Sequence, residues 1–302
     1  MQIQWLGRRH GGDVSDACQN TFGNELLFGF DAKRVTFRPL AKTNCPAQNS
    51  PECGEALRTD AIDARGNNPM TEDVALFETL RGVTTATITT ILLKKGLRNV
   101  WMRGPMPLRA GQSRIAGRAF TLRFVPARED LATPDSWASP RSTRAAIEDM
   151  PEGAIAVADA MGVKDAGIFG DILCARMKRR NVAGLVTDGV VRDLAGVLAT
   201  GLPVWTSGAA APPSVAGLTF TGWQEPIGCG GVAIFPNDVI VADTDGAVVI
   251  PAALAHEVAA VAPEQERFEA WVVSEVERGT KLPGLYPPDA ETRARYEATK
   301  TS

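Results

Sequence analysis

Ala154-Ile155-Ala156-Val157-Ala158, Ala183-Gly184-Leu185-Val186-Thr187 and Leu202-Pro203-Val204-Trp205 are three short runs almost free of polar side chains. Near-continuous apolarity over four or five residues marks a strand buried on both faces, as strands of parallel sheets are. Between these runs lie Asp171 to Arg180 and Asp193 to Thr200, each read as a short helix. The order strand, helix, strand, helix, strand predicts an α/β fold, with a parallel or mixed sheet covered by helices.

Working outward toward the C-terminus, Val232-Ala233-Ile234, Val239-Ile240-Val241-Ala242 and Ala247-Val248-Val249-Ile250 are β-rich segments. They are split by Pro236-Asn237-Asp238 and Asp243-Thr244-Asp245-Gly246. A polar helix is expected from Pro251 to about Glu277, and the chain beyond Pro283 is expected to be loose. Toward the N-terminus, Ser142 to Met150 is expected to be helical, residues 126–143 a polar loop, and Arg114 to Val125 a strand. Thr85 to Lys95 carries Ile88, Ile91 and Leu92 at helical spacing and is stopped by Gly96. Thr71-Glu72-Asp73 is a capping signal ahead of Val74, Leu76, Phe77 and Leu80. Residues 1–69 sustain no period and hold two Pro/Asn-rich stretches. They are expected to be a poorly ordered N-terminal extension, with residues 70–302 forming the domain.

The composition narrows the partners. The 302 residues carry a formal net charge of -3, with 44% hydrophobic and 22% charged residues. No basic stripe points to nucleic acid, and no apolar run approaches the ~20 residues that span a bilayer. Arg8, Arg9 and His10 replace the apolar core of a secretory signal. The cytoplasm is the expected location, with neither nucleic acid nor membrane as a partner. Five cysteines at scattered positions form no disulfide or zinc framework. With only two histidines, His10 and His256, carboxylates, arginine and a metal are left to carry any carbon-bond or hydrolytic chemistry.

Gly170-Asp171 sits at a loop-to-helix junction, where Asp is a preferred N-cap. The amides of Ile172 and Leu173 then have no intrahelical partner and lie at the positive end of the helix dipole, a site for a carboxylate or phosphate. Gly170 lets a ligand approach the backbone. The alternative is that Asp171 is a cap and nothing more. After the strand ending at Thr187, Asp188-Gly189-Val190-Val191-Arg192-Asp193 falls at the carboxyl end of the sheet, where α/β proteins gather ligands. Arg192 can clamp a carboxylate bidentately, and Asp193 offers hard oxygens to Mg²⁺ or Mn²⁺. An internal salt bridge plus a second cap is the alternative there. No Gly-rich nucleotide loop follows a strand with a downstream ribose-binding acid, so a nucleotide cofactor is not indicated.

Gly170-Asp171-Ile172-Leu173, the run Gly184 to Asp193 and Gly201-Leu202-Pro203-Val204-Trp205 together resemble the RraA-like family. That family contains 4-hydroxy-4-methyl-2-oxoglutarate/4-carboxy-4-hydroxy-2-oxoadipate aldolases and the regulator of ribonuclease activity A. Its aldolases share an Asp followed, after twenty residues, by Arg-Asp, as Asp171 is here by Arg192-Asp193. Phe235 to Val249 is similar to the family's Pro-Gly-Asp and Ala-Asp-x-Asp-Gly segments, with Asn237 in place of the usual Gly. The resemblance covers about residues 70–280.

The resemblance implies a swivelling α/β/β domain, assembled as homotrimers or hexamers with sites at subunit interfaces. It implies that the Ile172 and Leu173 amides and Arg192 hold the pyruvoyl carboxylate of a small 2-keto acid. Asp193 would hold a divalent metal, Mg²⁺ or Mn²⁺, with Asp171 beside it. The implied activity is metal-dependent retro-aldol cleavage of a 4-hydroxy-2-keto acid, releasing pyruvate, with decarboxylation of oxaloacetate at the same site. A non-enzymatic regulator that binds RNase E is the alternative on the same scaffold. The acid that many aldolases carry three residues after the metal Asp is Gly196 here. A further acid from a neighbouring subunit's C-terminal helix is implied, with Glu264, Glu266 and Glu269 all eligible. Trp101 to Pro105 and Pro126 to Asp130 point to a subgroup apart from these aldolases.

Overall fold

The computed structural model describes residues 69–300, so the expected extension lies outside the described residues except for its last position. Pro69 opens helix α1, Pro69–Arg81, a position where its missing N–H costs nothing. Thr71-Glu72-Asp73 therefore lies inside the first turns rather than capping them. Helix α2, Thr85–Lys94, has Thr84 as its N-cap, accepting from the Thr87 amide.

Strand β1 is Trp101–Met102, β2 is Met106–Pro107 and β3 is the long Ile115–Pro126. Then come α3 Thr143–Asp149, β4 Ile155–Asp159, α4 Asp171–Arg179, β5 Gly184–Thr187, α5 Leu194–Thr200 and β6 Val204–Thr206. β7 Leu218–Trp223, β8 Val239–Asp243, β9 Gly246–Ile250, α6 Ala255–Glu277 and α7 Ala290–Thr299 complete the described chain. The sheet runs β1-β9-β8-β3-β4-β5-β6-β2, with β7 also paired to β3. It is mixed, as expected. β4, β5 and β6 are parallel to one another and to the middle of β3, while β8 and β9 form an antiparallel hairpin on the start of β3.

Alternation along the central strands explains why they read as continuously apolar. Ile155, Val157, Val186 and Trp205 join one core, shared with α1, α2, α6 and the hairpin. Ala156, Ala158, Leu185 and Val204 face the other way, into a second core under α3, α4 and α5. Each strand therefore has two buried faces.

Two further expectations need correction, and one strand is unanticipated. Val232-Ala233-Ile234 is not a strand; a 3-10 turn at Cys229–Gly231 precedes it, and only an isolated bridge joins Ile227 to Ile234. Gly230 and Gly231 both take positive φ there, which breaks any ladder. The alternating run Leu218 to Trp223, to which the sequence reading assigns no element, is β7, and its Phe220 meets Phe124 edge-on with ring centroids 5.1 Å apart. The chain beyond Pro283 is not loose. Asp289 caps α7 by accepting from the Thr292 amide at 2.8 Å, and Tyr296 packs against Phe268 and Trp271 of α6. Asn237 adopts the left-handed conformation with φ 70°, which Asn tolerates better than most residues, so the turn survives the loss of glycine.

Candidate active site

The loops leaving the carboxyl ends of β4, β5 and β6 are knitted into one surface. The Ile168 amide donates to the Val190 carbonyl and the Arg192 amide to the Phe169 carbonyl, both at 2.9 Å. The Val191 amide reaches the Gly208 carbonyl at 3.1 Å, and the Gly167 amide reaches Pro212 at 2.9 Å. This pairing sets the start of α4 beside Arg192 and Asp193. Two glycines make the approach possible. A Cβ on Gly167 would fall 2.7 Å from the Arg192 Cβ and 2.8 Å from its backbone nitrogen, and one on Gly170 would fall 2.7 Å from Asp193 Oδ2.

All six residues singled out from the sequence, Gly170, Asp171, Ile172, Leu173, Arg192 and Asp193, line one cleft of about 230 Å³. Three larger clefts, one of about 540 Å³ and two of about 460 Å³, lie elsewhere. None joins a helix N-terminus to an arginine and two carboxylates, so chemistry rather than size selects the smaller one.

The local geometry differs from expectation at both acids. The N-cap of α4 is Gly170; Asp171 is the first helical residue. Its Oδ1 accepts the Ile172 amide at 2.7 Å, so one of the two proposed anion-binding amides is covered by a carboxylate. The Leu173 amide precedes the first intrahelical bond, from Cys174 N to Gly170 O. Asp193 is the N-cap of α5, but its side chain makes no capping hydrogen bond. Its backbone is left-handed, with φ 51° and ψ 47°, and its Oδ2 accepts from Arg192 Nε at 3.0 Å. The Asp193 carboxylate is therefore not committed to capping α5. Behind Asp171 stands Gly196 of α5, where a Cβ would come within 2.7 Å of both Cβ and Oδ2 of Asp171. An acid at that position would clash with Asp171 where it now sits.

Asp171 and Asp193 give the cleft two carboxylates, and no group of three or more His, Cys, Asp or Glu gathers among the described residues. That donor set fits Mg²⁺ or Mn²⁺, hard ions that keep several waters and bind through one or two carboxylates. It does not fit a closed four-ligand zinc site.

Other acidic motif residues are structural. Asp188 is buried, accepting the Ala160 and Gly230 amides at 2.8 and 3.0 Å, and burial raises its carboxyl above the usual range. Cys174 is fully buried, and burial, assisted by Asp171, pushes its thiol up to about 12, which disfavours the thiolate. Of the three acids eligible on the C-terminal helix, Glu266 accepts the Thr84 amide and hydroxyl, and Glu269 accepts from Thr87 and Gln265. Glu264 is half-buried and pairs with Arg267 and Lys300. Sequence reasoning missed Trp137, Thr143, Arg144, Pro213 and Ser214, which also line the cleft. They come from segments that carry no motif and are brought in by tertiary packing.

The model of the RraA-like family, described as Aldolase/RraA, matches residues 85–249, more than half of the chain. Among solved structures, RraAS2 of Streptomyces coelicolor superposes with a TM-score of 0.62 at 34% identity, covering 67% of this chain and 98% of that one. It is described as an unusual member of the RNase ES inhibitor RraA protein family. A putative 4-hydroxy-4-methyl-2-oxoglutarate aldolase of Halalkalibacterium halodurans is 37% identical over 109 residues, 35% of this chain and 50% of that protein. The protein DlpA of Legionella pneumophila is 31% identical over 172 residues, 56% of this chain and 27% of that protein. The chain thus spans a quarter to a half of these two curated relatives.

Proposed function

This chain belongs to the RraA-like family, and we propose that it is a divalent-metal-dependent carbon–carbon lyase. It cleaves a 4-hydroxy-2-keto acid by retro-aldol chemistry, releases pyruvate, and decarboxylates oxaloacetate as a side reaction. The observation that carries this reading is the convergence of the α4 N-terminus, Arg192, Asp171 and Asp193 in one cleft.

In this reading the Ile172 and Leu173 amides and the Arg192 guanidinium hold the pyruvoyl carboxylate. Asp193 holds the cation, with Asp171 beside it; when bound, the cation polarises the 2-keto oxygen and stabilises the enolate. Cleavage of the C3–C4 bond sends its electron pair into the enolate and needs a base for the 4-hydroxyl proton. A water held by Asp171 takes that proton and returns one to C3, giving pyruvate. Oxaloacetate needs only the enolate stabilisation, because carbon dioxide leaves without proton transfer to a base.

The resting hydrogen bonds carry a consequence. Asp193 occupies the Nε of Arg192, and Asp171 occupies the Ile172 amide. Both acids must leave before a carboxylate can use that Nε and that amide. Pyruvate is therefore expected to bind at least about tenfold more tightly with Mg²⁺ than with EDTA, since charge-assisted donors are freed only when the acids turn to a cation. Calorimetric titration of pyruvate under the two conditions measures this, and equal affinities would refute it.

Gly196→Ala tests the seat of Asp171. In an ordinary helix this change stabilises by about 0.5–1 kcal/mol, but here the new methyl displaces Asp171. The expected result is no gain in melting temperature and a loss of about a hundredfold in kcat, the scale of an ångström-sized misplacement. Unchanged kcat would mean that Asp171 need not sit where it does.

Pyruvate release across a series of 4-hydroxy-2-keto acids, with Mg²⁺ and with EDTA, tests the activity. The likeness to RraAS2 supports a second reading, a regulator that binds and inhibits RNase E. Absence of pyruvate release combined with inhibition of RNase E cleavage would install it.

The assembly proposed is a homotrimer or hexamer with the cleft at a subunit interface, in the cytoplasm, without nucleic acid or membrane as a partner. Ile172 at the cleft is 79% exposed, and Leu194 and Leu198 share an exposed face of α5, apolar surface that a neighbour would cover. A light-scattering mass of one chain, 32.1 kDa, would refute the assembly. Among the described residues no helix is long and apolar enough to cross a membrane.

A further inference from the structure

Arg144 is the second residue of α3 and lines the same cleft as Arg192 and Asp193. Its guanidinium carbon lies 5.0 Å from the ring centroid of Trp137, which stands in the 3-10 turn Pro134–Ala138 and also lines the cleft. The ring gives the guanidinium a face to rest on. Its N–H fork stays free for a planar anion.

Nothing else claims that fork. Among the described residues Arg144 has no hydrogen bond or ion pair, whereas Arg141, Arg176 and Arg180 are paired. Arg141 meets Glu225 at 3.1 Å, Arg176 meets Glu148 at 2.7 Å, and Arg180 meets Glu148 at 3.3 Å.

Charge balance points the same way, and this step rests on the reading proposed above. Asp171 and Asp193 offset Arg192 and Arg144. A divalent cation and one pyruvoyl carboxylate then leave a single positive charge in the cleft. A second anionic group on the substrate cancels it. We propose that Arg144, shelved on Trp137, is a specificity-determining residue that binds a second carboxylate, on the part of the substrate beyond the cleaved bond.

The test is binding, so it does not depend on turnover. Two inert ligands differ only in the far carboxylate: 2-oxoglutarate and 2-oxopentanoate, neither of which has a 4-hydroxyl to cleave. Their affinities for the full chain with Mg²⁺ are measured by calorimetry in wild type, Arg144→Ala and Arg141→Ala. The expected result is that wild type prefers 2-oxoglutarate by at least about tenfold, as for loss of a bidentate partner. Arg144→Ala erases that preference and leaves 2-oxopentanoate within about twofold of wild type. Arg141→Ala, an arginine outside the cleft, keeps it. A wild type without preference, a preference that survives Arg144→Ala, an equal loss for both ligands, or no binding of either would overturn the assignment. If the expected binding pattern holds while no 4-hydroxy-2-keto acid releases pyruvate, Arg144 keeps its role and the lyase reading falls.

Discussion

Asp193→Asn is expected to cut metal-dependent pyruvate release by at least about a hundredfold while leaving the fold intact, the loss typical when a group that stabilises developing charge is removed. The substitution keeps size and shape and removes only the charge. Asn tolerates the left-handed backbone that residue 193 adopts, and the side chain caps nothing, so no helix contact is lost. Its one partner is Arg192, and the two side chains are 45% and 35% exposed. Such a pair contributes about 0–1 kcal/mol, so the melting temperature should fall by no more than a few degrees, roughly 2–4 °C per kcal/mol in a domain of this size. A second readout comes from the same substitution. With its carboxylate partner gone, Arg192 is free to take an anion without any cation, so the gap between pyruvate affinities in Mg²⁺ and in EDTA should narrow. Retention of more than about a tenth of wild-type turnover would remove Asp193 from the metal site.

Much of the architecture was legible because burial on two faces leaves a plain signature. β4, β5 and β6 are apolar at nearly every position since alternate side chains enter different cores. Elements held by partners distant in sequence were harder. β7 alternates clearly, yet a six-residue run between Gly217 and Pro226 competes with turn signals on both sides. β1 and β2 have two residues each and exist only through their pairing with β9 and β6. The polar tail became α7 because Tyr296 finds an aromatic surface on α6, a contact that local pattern does not announce. The cleft follows the same division. Gly170, Asp171, Arg192 and Asp193 stand at strand ends of adjacent units, so topology alone brings them close. Trp137 and Arg144 arrive by packing across the cleft, with no spacing relation to Arg192. The engagement of the Ile172 amide by Asp171 was equally invisible, because it depends on a helix start one residue earlier than the Asp suggests.

The largest effect on stability is expected at a residue remote from the cleft. Asp243 ends β8 and is 5% exposed. Its Oδ2 accepts the Thr85 amide at 2.8 Å, and its Oδ1 accepts the Thr85 hydroxyl at 2.7 Å and the Asp245 amide at 2.9 Å. Arg114 Nε lies 3.6 Å from Oδ2 and, being buried, has no hydrogen bond of its own. One carboxylate thus joins the start of α2, the tight turn of the β8–β9 hairpin and the residue that precedes β3. The neighbouring amides of α2 are taken by Glu266 at Thr84 and by the Thr84 hydroxyl at Thr87, so no other acceptor stands ready for Thr85. Asp243→Ala strands the buried amide and hydroxyl of Thr85, each costing about 1–3 kcal/mol when unpaired, and removes the acceptor of the part-buried Asp245 amide and the ion partner of Arg114. We expect a loss of about 3–5 kcal/mol, and at roughly 2–4 °C per kcal/mol a melting temperature about 10 °C lower. Asp243→Asn keeps one oxygen acceptor and should fall between Ala and wild type. Because Asp243 does not line the cleft, turnover measured well below the transition should stay near wild type for both variants. Thermal unfolding of the three proteins decides it: a shift under about 2 °C for Asp243→Ala would mean that water or backbone adjustment replaces the carboxylate and that this junction is not what holds α2 against the hairpin.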